Sequence, residues 1–241
     1  MNKKRPYYLI GRALMFYIHA PNVHQGGGYS LLSALIASVT TPVVLHLDER
    51  FHPVPPLPEG SCIKYVPATL HGRFQVERHL RDLANVEDTV LCFGNLPPLF
   101  RQGARVFVYL QNTYLLDASG IGDLPLKVRM RLWVERSWLR LCLRNAEVIV
   151  QTQTMADLVQ ATLKRSAHVM PFHAPLERAL RNSSSEYDFL FVASGEAHKN
   201  HLRLFHAWQK LALSGVTPKL AITFDPDPSG KVGRALEQAR K

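Results

Sequence analysis

The chain has 241 residues, 46% of them apolar and 20% charged, with 29 Lys and Arg against 19 Asp and Glu. Such a composition can bury a core that offsets the entropy of ordering, which excludes a disordered chain. No run of about 18 apolar residues occurs, which excludes a spanning helix. The net charge of +10 points to nucleic acid, an anionic lipid surface or phosphorylated substrates as partners.

Met1-Asn2-Lys3-Lys4-Arg5 resembles the start of a signal peptide. Gly11 and Arg12 break the run behind it, and no small-residue cleavage site follows, so secretion is not expected. Cys62, Cys92 and Cys142 form no CxxC and no disulfide framework, which fits a reducing cytoplasm. Each is expected to be a small core residue.

Short apolar runs then alternate with helical stretches. Strands are predicted over 13–19, 43–47, 62–66, 89–93, 105–110, 148–151 and 169–170. Helices are predicted over 29–39, 76–83, 126–143 and 155–163, the last behind a capping box of Thr154 and Asp157. The prolines of 53–58 mark a surface loop. This alternation implies a parallel sheet covered on both faces, with ligands at the carboxyl ends of its strands. A first domain over 1–172 is followed by a Pro- and Ser-rich linker over 173–185. A second strand–helix–strand series begins with strand 187–193, helix 201–213 and strand 219–223. Its ~55 residues bury a poor core alone, so the second domain of 186–241 is expected to be partial.

The segment from His19 to Ser30 runs a strand into Gly26-Gly27-Gly28 and then a helix start. Exposed N–H groups at a helix N-terminus suit a phosphate or a sugar hydroxyl; the competing reading is a plain tight turn. No lysine follows Gly28, so this is not a P-loop. The third small residue of a dinucleotide fingerprint would fall on Leu31, although Asp48 stands where a ribose-binding acid would. A nicotinamide-dependent oxidoreductase therefore stays open as an alternative. His19 and His24, placed on this loop, are acid–base or binding candidates, or solvated loop residues. Asn95 ends one strand, and Gln111-Asn112 end the next. Amides there suit sugar hydroxyls, having both donors and acceptors, or else form turns. The eleven histidines show no tight ligand spacing, so no metal site and no cofactor are expected.

Helix 126–143 combines Arg129, Arg136 and Arg140 with Trp133 and Trp138. Such a helix could lie on an anionic membrane surface or be a solvated core helix. No RNP, zinc-finger or helix-turn-helix signature accompanies the charge, so nucleic acid is not expected.

The segment Val192-Ala193-Ser194-Gly195-Glu196-Ala197-His198-Lys199-Asn200-His201 resembles the opening of the second domain in retaining GT-B glycosyltransferases, the glycosyltransferase group 1 family, or family 4. The early glycine-rich segment, the aromatic-Leu-Gln-Asn strand end and the Val-Ile-Val-x-Thr segment are similar too. The resemblance implies a GT-B-like α/β fold of two Rossmann-like domains. It implies transfer of a sugar, with retention, from a nucleotide-diphosphate sugar to a carbohydrate or lipid-linked acceptor, as in bacterial surface polysaccharide synthesis. It gives Lys199 the donor diphosphate and sets Gly26–Gly28 beside the donor phosphates or the acceptor. No catalytic base is assigned; the leaving diphosphate itself would take the acceptor proton. The family often has an arginine five residues before the lysine; here that residue is Ser194. The family's Glu-x7-Glu segment is not found before Lys241. Activity of this chain alone is thus an open point, with a non-catalytic remnant binding membrane or a partner as the further alternative. The expected location is cytoplasmic, peripheral on the inner membrane.

Overall fold

Alternate residues of the first strand face opposite ways, and both ways are apolar. Tyr17 packs into one core and Ile18 and Ala20 into another. A computed structural model describes residues 14–119, 121–172, 186–195, 199–225, 227 and 230–239. The chain divides into two compact units, Met1–Leu176 and Glu177–Lys241. Residues 1–13, which hold the basic start, and the whole 173–185 linker segment lie outside the described residues.

The first unit is built on one seven-stranded sheet in the order β3-β2-β1-β4-β5-β6-β7. Its strands are β1 Phe16–Ala20, β2 Val43–Asp48, β3 Cys62–Val66, β4 Thr89–Cys92, β5 Arg105–Tyr109, β6 Glu147–Val150 and β7 Ala167–Val169. Every neighbouring pair is parallel. Helix α1, Gly26–Ala37, covers one face through Leu32 and Ile36. Helices α2 (Leu70–Leu83), α3 (Leu126–Cys142) and α4 (Gln153–Leu163) cover the other through Leu80, Leu132, Leu139 and Val159. The expected α/β fold with a parallel sheet covered on both faces is therefore what forms, and it is Rossmann-like.

Several expected boundaries move, each for a local reason. Helix α1 starts at Gly26 and not near Tyr29, so the three glycines are its first turn and not a loop. Helix α2 starts six residues before 76, because the Thr69 hydroxyl accepts the Gly72 N–H at 3.0 Å. Gly72 is needed there: a Cβ would stand 2.7 Å from the Pro67 carbonyl oxygen. The cap of α4 is Thr152, whose backbone is extended and whose hydroxyl accepts from Met155 N–H. Thr154 lies inside the helix, and Asp157 receives the Gln153 amide instead. Cys92 is buried and Cys142 half-buried, but Cys62 is exposed, because β3 is an edge strand.

The second unit pairs β8 (Phe189–Phe191) with β9 (Leu220–Ile222) in parallel, joined through α5 (His201–Leu213). Helix α6, Lys231–Ala239, has no counterpart in the expected elements. His201 is buried; its Nε2–H donates to the Thr223 carbonyl at 2.9 Å and ties α5 to the end of β9. Gly195 lies so close to Phe224 and Asp227 that a Cβ would meet the Phe224 carbonyl at 2.7 Å.

Candidate functional site

The strand order reverses between β1 and β4, and the loops leaving their carboxyl ends diverge there. Asn22, just past β1, bridges this switch point: its Nδ2–H donates to the Gly94 carbonyl at 3.0 Å. Gly94 is buried against Asn22, and a Cβ would overlap the Asn22 amide. Asn22 did not stand out in the sequence, since a lone Asn after Pro reads as a turn.

Asn95 holds a left-handed backbone at φ 68°. Its side-chain oxygen accepts the Gln111 N–H at 2.7 Å and the Asn112 N–H at 2.9 Å. The β4 loop is thereby fastened to the β5 loop. Asn112 in turn accepts the Tyr114 N–H at 3.1 Å and caps a single 3-10 turn over Thr113–Leu115. Asn95, Gln111 and Asn112 thus come together as expected, but the acceptors of both asparagines are used inside the protein. Asn95, Gln111 and Asn112 are all half-buried at this lip.

The helix N-terminus lies on the same edge. Gln25 caps α1 without a side-chain bond, and Gly26 has φ 64°. No atom stands within 4 Å of where a Cβ at Gly26 or Gly27 would be. Gln25, Gly26 and Gly27 are exposed, and a helix N-terminus of this kind suits an anion. His24 is half-buried, with Nδ1 3.7 Å from Asp48 Oδ2. Asp48 is buried and already receives Arg50 at 2.8 and 2.7 Å. Burial opposes its ionisation, but the Arg50 hydrogen bonds outweigh that and hold its carboxyl below the ordinary range. Both Asp48 oxygens receive Arg50, so Asp48 fastens the loop that follows β2.

His19 is not on the loop. It lies within β1 and is buried. Its Nε2 is 3.1 Å from Glu77 Oε1 and its Nδ1 3.1 Å from His46 Nδ1. Arg73 donates to Glu77 at 2.7 Å, and the Leu99 N–H to its other oxygen at 3.0 Å. Burial works against the Glu77 charge, yet His19, Arg73 and Leu99 together hold its carboxyl at about 2. Burial lowers both histidines, His46 well below its ordinary value. The proton positions follow from the network. With Glu77 ionised and His19 neutral, His19 donates through Nε2 and accepts at Nδ1 from His46 Nδ1–H. This knot uses residue types common in catalysis, but it lies under α2 and is closed to solvent. A hollow of about 400 Å³ opens at the opposite sheet edge, by Arg101, Arg105 and Arg144, away from the carboxyl ends.

The residues of α3 divide between two faces. Trp138 is half-buried; its Nε1–H donates to the Pro97 carbonyl at 3.0 Å, and Arg73 lies 5.0 Å over its ring. Arg136 is half-buried and donates to the Leu116 carbonyl at 3.0 Å. Both are thus engaged with the loops of the protein. Arg129, Trp133 and Arg140 are exposed. Lys199, in the second unit, is exposed where the chain turns into α5, beside Asn200 in a left-handed conformation. No His, Cys, Asp and Glu group suited to a metal occurs among the described residues. No helix among them is long and apolar enough to cross a membrane. No family model matches the chain, and no curated protein matches it.

Proposed function

We propose that the chain carries the framework of a GT-B-type glycosyltransferase, moving a sugar from a nucleotide-diphosphate sugar to a carbohydrate or lipid-linked acceptor. The observation that carries the reading is the position of Lys199. It stands in the loop between β8 and α5 of a parallel β–α–β crossover, the position where open sheets receive anionic ligands. It makes no ion pair among the described residues. An ammonium there can neutralise the charge that grows on a leaving diphosphate. In the first unit, the lip of Gln111, Asn95 and Asn112 supplies amides suited to acceptor hydroxyls. The open first turn at Gly26–Gly28 supplies N–H groups for a phosphate or a sugar oxygen.

The test is chromatographic detection of released nucleotide from a panel of UDP, GDP and other sugar nucleotides, with direct binding of each donor by the 241-residue chain. Donor binding or turnover that Lys199→Ala lowers ~30- to 1,000-fold, corresponding to ~2–4 kcal/mol, supports the reading. Lys199→Arg should recover only part, because its planar fork has a different reach. Unchanged donor handling in a folded Lys199→Ala removes it. Binding of a nicotinamide cofactor with indifference to sugar nucleotides would favour the oxidoreductase, whose strand order this sheet shares.

A further inference from the structure

Helix α3 is apolar on two opposite sides. Leu132 and Leu139 are buried in the core, as a covering helix requires. On the outer side, Leu126 is 68% exposed, Met130 63%, Trp133 71% and Leu141 77%. Val134 adds to the same face. These positions follow at three-, four- and eight-residue steps, so they form one stripe along a helix. A core helix normally turns polar residues outward. An exposed stripe of this kind marks an interaction surface.

Cations border the stripe on both sides. Arg129 and Arg140 lie along one margin, Lys127 and Arg131 along the other, and all are exposed. Arg131 reaches Glu135 at 3.6 Å, and Glu135 is the only acid on the helix. We infer that the outer face of α3 docks on an anionic lipid surface, the stripe dipping into the interface and the four cations reaching phosphate headgroups. An amphipathic helix on a bilayer needs this pattern of apolar centre, aromatic ring and flanking positive charge. A second copy of the chain is a poorer occupant, because pairing two such faces sets cation against cation. The inner face of α3 holds the Pro97 and Leu116 carbonyls through Trp138 and Arg136. The helix is thereby fastened to the same β4 and β5 loops that carry Asn95 and Gln111. The inference does not depend on the glycosyl-transfer reading.

The experiment is flotation of the full chain with vesicles of phosphatidylcholine alone, or with about one-third phosphatidylglycerol. Binding is expected to the anionic vesicles only, and to fall as salt screens the headgroups. Each of Lys127, Arg129, Arg131 and Arg140 changed to Gln should weaken partitioning about fivefold, the equivalent of ~1 kcal/mol per cation. Met130→Ser with Trp133→Ser should weaken it more than tenfold at an unchanged melting temperature, since neither side chain supports the core. Trp133 emission should shift to the blue on anionic vesicles, and Trp133→Phe should abolish the shift. Equal binding to both vesicle types, no binding to either, or full binding by the Met130/Trp133 double variant would overturn the inference. So would sedimentation as a dimer that Met130→Ser and Trp133→Ser dissociate.

Discussion

His19 and His24 are close in sequence and differ in everything else. His19 is enclosed, and each ring nitrogen has a partner. His24 sits at a half-buried lip with one carboxylate at 3.7 Å. Each place holds one carboxylate and one guanidinium, Glu77 with Arg73 in the knot and Asp48 with Arg50 at the lip, but only the lip is open to a ligand. A closed polar network stabilises the fold only while every member is present. An open one can exchange its partners with solvent or a ligand. Residue type alone does not tell the two apart; the state of satisfaction does.

The largest break in this contrast should come from Glu77→Gln. It leaves Arg73 without its charge partner and weakens the His19 and Leu99 contacts. Removing one member of a buried ion pair costs about 3–5 kcal/mol, which urea unfolding would read directly. His24→Ala, at the lip, should stay within about 0.5 kcal/mol by the same measurement. Comparable losses at the two positions would erase the distinction.

Next is the switch point itself. Gly94→Ala should cost about 2–3 kcal/mol, since its Cβ overlaps the Asn22 amide. In an Asn22→Ala background the same change should cost less than about 1 kcal/mol. A double-mutant cycle in thermal melts measures the coupling. Absence of coupling would mean that Asn22 can leave its place freely.

Asn95 separates backbone from side chain. Asn95→Ala should lose about 2 kcal/mol, through the strained φ of 68° and the loss of two accepted N–H groups. Asn95→Gly should lose about half of that, because glycine accepts the conformation. The difference isolates the cost of strain.

The smallest effect is with pH. His46 takes up a proton near 6.5 when unfolded but only well below that when folded. The unfolded chain therefore binds more protons as pH falls under about 6.5, and stability must fall with it, by up to about 1.4 kcal/mol per pH unit for His46, with His19 adding in the same direction. Glu77 adds a second loss at lower pH, from its unfolded value of 4.5 towards about 2. His46→Asn keeps a donor near the Nδ1 position and should flatten the melting-temperature profile between about pH 6.5 and 5.5. An unaltered profile would mean that another group takes the proton.

Much of this architecture was legible in the chain. Period and composition marked the strands of the first unit; the inner ones are apolar on both sides because both sides are buried, while the edge strands β3 and β7 are largely exposed. They also marked α3 and α5 almost to the residue. Caps were less legible: Thr69, Thr152 and Thr154 are alike as letters, and only backbone geometry selects which one begins a helix. Asn95, Gln111 and Asn112 do meet at the carboxyl-edge loops, as their places after neighbouring strands imply. That Asn95 points its oxygen inward could not be read, since it depends on two amides from the next strand's loop. His19 closes the strand expected over 13–19, and its place on the loop rested on its nearness to the glycines; β1 runs on through Ala20 and keeps His19 inside the sheet. Its partners His46 and Glu77 lie 27 and 58 residues away, beyond the reach of any local pattern.

The bond from Leu99 to Glu77 has a kinetic consequence. Leu99 lies in an irregular stretch between β4 and β5, where amides ordinarily trade hydrogen with water within the lifetime of a loop fluctuation. Its N–H, however, ends on a carboxylate sealed beneath α2. That hydrogen is held back until its bond to the buried carboxylate breaks. A loop amide should therefore exchange with deuterium as slowly as the strand amides of β1, and in Glu77→Gln it should move to the fast class of its neighbours.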